Sequence, residues 1–109
     1  MNIYRHGDIL IKQIEILPNN LKKVQETKSF VIAEGETTGH KHLLQVLDRT
    51  ATDFCVYQNE QGNYILDMKS DGKLTHEEHK EITIKKGIYF VGHEQEFSPF
   101  DEEIKRVRD

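Results

Sequence analysis

Phe54-Cys55-Val56-Tyr57-Gln58, then Asn59-Glu60-Gln61-Gly62-Asn63, then Tyr64-Ile65-Leu66-Asp67-Met68 reads as two short strands flanking a tight turn. Aromatic and aliphatic side chains suit a pleated, half-buried surface, and Gly and Asn accept the positive φ that a hairpin connection demands. The same alternation of short apolar segments and Gly, Asn, Asp or Ser clusters recurs outward in both directions. Towards the amino end lie Asp8 to Ile16, stopped by Pro18-Asn19-Asn20, and then Ser29 to Ala33 and His40 to Leu47. Towards the carboxyl end lie Glu81 to Ile84 and Ile88 to Phe97, with Ser70-Asp71-Gly72 as a second expected hairpin turn.

Apolar residues nowhere keep helical spacing over three turns, so the chain is expected to hold no long amphipathic helix. Single helical turns are expected at most near Asn20 to Gln25 and after Ser98-Pro99. Closely spaced short strands point to one mainly β domain over residues 1–109, an antiparallel β-barrel, roll or sandwich.

Hydrophobic residues make up 36% of the 109 and charged residues 31%, a balance that suits a compact domain with a polar shell rather than a disordered chain. No apolar run approaches the roughly 20 residues a helical membrane span needs. With no signal-peptide pattern at the start, the expected location is the cytoplasm. A formal charge of −4 and a pI near 5.8 remove the electrostatic attraction on which nonspecific nucleic-acid binding relies. Cys55 is the only cysteine; this excludes an internal disulfide and a thiolate-rich zinc site, and it is expected to be a small buried hydrophobe.

The chemistry-bearing residues are histidines, six in all. In Gly39-His40-Lys41-His42-Leu43-Leu44-Gln45-Val46 the alternation of strand side chains places His40 and His42 on one face with Leu44 and Val46. Thr75-His76-Glu77-Glu78-His79 supplies a second pair, three residues apart. This is not the metalloprotease signature, which needs a spacing of four on a long helix. Some 35 residues separate the pairs, an interval over which antiparallel strands return to each other.

Two neutral imidazoles held side by side are good ligands for a divalent ion. His40, His42, His76 and His79 are therefore the expected metal ligands, for zinc or for iron, manganese or nickel. Glu34, Glu36, Glu77 and Glu78 could add an oxygen, and Glu36, Glu77 and Glu78 are the candidate proton carriers if the site is catalytic. His93, on a strand face with Tyr89, Val91 and Phe97, is expected to be a hydrogen-bonded, partly buried residue, with ligation as its alternative. His6, in Arg5-His6-Gly7-Asp8 near the amino end, is expected at the surface. The glycine-bracketed Gly35-Glu36-Thr37-Thr38-Gly39 reads either as an ordinary hairpin loop or as one that brings backbone to a ligand.

The string Ile32-Ala33-Glu34-Gly35-Glu36-Thr37-Thr38-Gly39-His40-Lys41-His42, with the later Thr75-His76-Glu77-Glu78-His79, Gly87-Ile88-Tyr89 and Phe97-Ser98-Pro99, resembles a group of small uncharacterised bacterial and phage proteins. That resemblance implies no reaction. Gly39-His40-Lys41-His42 is also similar to the first motif of the cupin superfamily of β-barrels, although Val46 or Leu47 stands where the cupin glutamate belongs. Gly7-Asp8-Ile9-Leu10-Ile11-Lys12 resembles the first strand of the co-chaperonin barrel, a likeness of fold alone.

The leading expectation is a metal-binding β protein that binds or acts on a small molecule. Its alternatives are a metal-free phosphodiesterase or nuclease using paired histidines as acid and base, and a phage or mobile-element module that binds a host protein. The expected partner is accordingly a small molecule or a protein, without nucleic acid or membrane, and a homodimer is compatible with all three readings.

Overall fold

A computed structural model of the chain describes residues 1–34 and 41–93, and all regular structure among them is strand. In chain order these are β1 (Ile3–His6), β2 (Ile9–Ile14), β3 (Lys22–Thr27), β4 (Ser29–Glu34), β5 (Lys41–Val46), β6 (Phe54–Gln58), β7 (Tyr64–Met68), β8 (Gly72–Thr75), β9 (Ile82–Ile84) and β10 (Gly87–His93). One sheet has six strands in the order β1-β2-β10-β7-β6-β3, the other four in the order β4-β5-β8-β9. All pairings are antiparallel. The sheets stay separate rather than closing into a barrel, so the sandwich alternative describes the architecture.

The hairpin that announced the fold is present, with β6 and β7 at their expected limits. Gly62 takes φ 90° in the turn, and the Asn59 side-chain oxygen accepts the backbone N–H groups of Gln61 at 3.0 Å and Asn63 at 2.9 Å. An Asx oxygen used in this way replaces a missing ladder partner.

Ser70-Asp71-Gly72, by contrast, is not a hairpin turn. The strands that it joins, β7 and β8, belong to different sheets. The segment is a crossing point, fastened by Leu47 N–H donating to the Asp71 carbonyl at 3.1 Å and Lys86 N–H donating to the Asp71 carboxylate at 2.8 Å. Gly72 is required by close approach, because a Cβ there would sit 2.7 Å from the Gln45 carbonyl oxygen. The turn signal was sound, but local sequence does not say which sheet the next strand joins.

The expected helical turn near Asn20 to Gln25 is replaced by β3. Lys22 to Glu26 form an exposed edge strand paired with β6 and carrying a register shift between Lys23 and Gln25. With neither side of the strand buried, no alternation of apolar residues marks it in the sequence. The expected turn after Ser98 lies outside the described residues.

The two inner faces meet in a core of Ile9, Ile11, Val56, Leu66, Tyr89 and Val91 from the larger sheet and Ile32, Leu44, Val46, Leu74 and Ile84 from the smaller. Cys55 is buried and free, as expected of a small hydrophobe. Leu44 has no exposed surface and lies between Phe30 and Leu74 across three neighbouring strands. Leu44→Ala should therefore lower the unfolding free energy by about 2–5 kcal/mol, read from urea denaturation; a loss below about 1 kcal/mol would contradict this packing.

Candidate functional site

The β5–β8 register decides which histidines meet. Leu44 is paired with Leu74 and Leu43 with Thr75, so one further step sets His42 opposite His76. Their ring centroids are 4.4 Å apart. The chain turns after His76 and brings His79 back, 4.6 Å from His76 and 6.1 Å from His42. His42 is the inward residue at the start of β5, on the face shared by Leu44 and Val46, and is buried with 1% of its surface exposed.

A fourth ring arrives from the other sheet. His6 ends β1 opposite Ile9, and Gly7 with φ 66° lets the chain reverse within two residues. Far from lying at the surface, His6 is 3% exposed. Its ring centroid lies 5.1 Å from His42, 6.2 Å from His76 and 5.5 Å from His79. The expectation failed because four residues near a chain end carry almost no periodic signal. The cue that could have found His6 is Gly7-Asp8, a turn pair that lays Ile3 to His6 back along the strand beginning at Ile9.

His6 and His42 touch through nitrogen, Nδ1 to Nδ1 at 2.9 Å, and His6 Nε2 lies 3.0 Å from the Lys80 carbonyl. A carbonyl only accepts, so His6 carries its proton on Nε2 and its Nδ1 is a lone pair. The proton shared with His42 then belongs to His42 Nδ1. Both rings are held neutral. Burial lowers the His6 pKa, against the Lys80 carbonyl and with help from His79 and His76. Burial, followed by His76 and His6, pushes His42 down to about 4, with Asp8 opposing.

The loop after β8 is tied to β5 by Glu77, whose two carboxylate oxygens accept the Lys41 backbone N–H at 3.0 and 3.1 Å. Glu78 N–H donates to His76 Nδ1 at 3.0 Å. Both glutamate side chains are exposed. Asp8, in the β1–β2 turn, places one carboxylate oxygen 3.9 Å from His42 Nε2 and the other 3.6 Å from His93 Nδ1. Val31, Leu43 and Thr75 form a row across β4, β5 and β8, on the face opposite His42 and Leu44. With Lys41, His76 and Glu77 they line an open groove of about 470 Å³, so His76 borders both groove and cluster.

Of the four ligands expected from sequence, His42, His76 and His79 come together and are joined by His6. His40 and Glu36 lie outside the described residues. Among the described residues no group of three or more His, Cys, Asp or Glu side chains is arranged to hold a metal ion. His76 Nδ1 is turned to an amide, and the facing Nδ1 atoms of His6 and His42 share a proton.

A family model described as Domain of unknown function (DUF8820) matches residues 5–94, a span that holds all four rings. No curated protein and no solved structure matches the chain.

An added Cβ at Gly7 would lie 2.8 Å from His79 Nε2 and 3.2 Å from His42 Cε1, and φ 66° is strained for an L side chain. Gly7→Ala should cost about 1–3 kcal/mol in urea unfolding, and a neutral result would contradict the placement of the turn. His6 and His42 have folded pKa values below the unfolded value near 6.5, so the unfolded chain takes up protons first as pH falls. The His42 contribution is complete above about pH 6.5 and is lost as pH drops towards about 4, and that of His6 is lost in the same direction. The melting temperature of metal-free protein should fall through that window, and less steeply in His42→Gln; equal slopes would contradict the assignment.

Proposed function

We propose that this chain, which belongs to the DUF8820 family, binds a divalent transition-metal ion through His6, His42, His76 and His79. The observation that carries the reading is the convergence of four imidazoles from both sheets, with ring centroids 4.4 to 6.2 Å apart. At a zinc–nitrogen length of about 2.05 Å, two ligand nitrogens of a tetrahedral ion lie about 3.3 Å apart. The facing Nδ1 atoms of His6 and His42, at 2.9 Å, are within half an ångström of that.

Neutral rings are the ligating form, and burial keeps His6 and His42 neutral. The His6 contact with Lys80 has the geometry usual for a ligand histidine, one nitrogen donating to a carbonyl and the other left for the ion. Loading requires His76 to release the Glu78 amide, a ring rotation within the exposed loop between β8 and β9. A donor set rich in imidazole suits zinc, nickel or iron better than manganese. His6 joins the ligand set expected from sequence in this proposal, and His40 lies outside the described residues.

A small molecule would approach through the groove beside His76. Its floor is apolar at Val31 and Leu43 and charged at Lys41 and Glu77. Such a mixture suits a ligand with a short apolar body and polar ends. Among the described glutamates weighed as proton carriers, Glu77 lines this groove and Glu78 does not.

Zinc titrated into tag-free, metal-free protein should bind at one equivalent. At a free concentration one hundred times Kd it should stabilise the fold by about 2.7 kcal/mol. His42→Ala and His6→Ala should each weaken binding at least tenfold. Absence of stoichiometric binding, or wild-type affinity in both His6→Ala and His42→Ala, would overturn the proposal.

A further inference from the structure

We infer that Asp8 is a positioning residue that selects the metal-binding tautomer of His42, an inference that rests on the metal-binding reading above. A neutral imidazole has one N–H, and in the cluster the proton of His42 lies on Nδ1, donated to His6. His42 Nε2 is then a lone pair turned towards the Asp8 carboxylate. Two acceptors cannot bond, and the separation of 3.9 Å is beyond hydrogen-bond length.

An ion between the rings needs both Nδ1 lone pairs. His6 already offers its own, because the Lys80 carbonyl fixes the proton of that ring on Nε2. His42 must move its proton from Nδ1 to Nε2, with no net proton gained or lost. On Nε2 that proton faces Asp8. The carboxylate, which has no bond to make with the Nδ1–H tautomer of His42, becomes the acceptor of the Nε2–H tautomer, given an approach of about 1 Å to reach hydrogen-bond distance. The approach is within reach of a turn residue whose side chain is 37% exposed, and the other Asp8 oxygen rests 3.6 Å from His93 Nδ1.

Long-range proton–nitrogen NMR on histidine-labelled protein reads the tautomer directly. His42 should carry its proton on Nδ1 in metal-free protein and on Nε2 once zinc is bound. Asp8→Ala should weaken zinc binding 10- to 100-fold while leaving the melting temperature of metal-free protein nearly unchanged. Asp8→Asn keeps an acceptor oxygen and should recover part of the loss. If the wild type binds zinc but Asp8→Ala binds it equally well, the role of Asp8 is overturned and the metal site stands; if His42 keeps Nδ1–H when loaded, the paired Nδ1 site falls with it. If the wild type binds no zinc, both fall.

Discussion

Two buried imidazoles, one from each sheet, meet nitrogen to nitrogen at 2.9 Å, and the arrangement of this end of the sandwich follows from how that contact is satisfied. A polar ring enclosed by protein must find partners or destabilise the fold by about 1–3 kcal/mol. His6 finds Lys80 and His42; His42 finds His6 and looks out on Asp8. The contact joins the β1–β2 hairpin to the start of β5, so the groups proposed as ligands also link the two sheets here. Gly7 is glycine because the backbone passes against two of these rings.

The sequence was most readable where local chemistry and tertiary role agree. The hairpin from Phe54 to Met68 is such a place, since its turn residues and apolar strands both describe a sheet buried on one side. Within β5 the alternation correctly put His42 inward with Leu44 and Val46. β3 was illegible because exposed edges impose no pattern. β8 was hidden in what looked like a turn, because Gly72 is required by contact with the neighbouring strand and not by a reversal of the chain.

The site divided along the same line. His42, His76 and His79 could be anticipated as neighbours because strand alternation and an antiparallel return are properties of sequence distance. Their precise opposition depends on the Leu43–Thr75 register, which no local feature states. His6 was invisible for a different reason: its burial is conferred by a hairpin only four residues deep and by Lys80, 74 positions away along the chain. The role of Asp8 follows only once two tautomers have been assigned, and those depend on which carbonyl lies near which ring.

The most direct measurement is the anomalous scattering of zinc in crystals of protein stripped of metal and reloaded with one equivalent. The account predicts a single peak between the sheets, about 2.0–2.1 Å from Nδ1 of both His6 and His42, with His76 turned away from the Glu78 amide. Zinc found only on exposed side chains, or His6 and His42 still in direct Nδ1–Nδ1 contact with no ion between them, would contradict it.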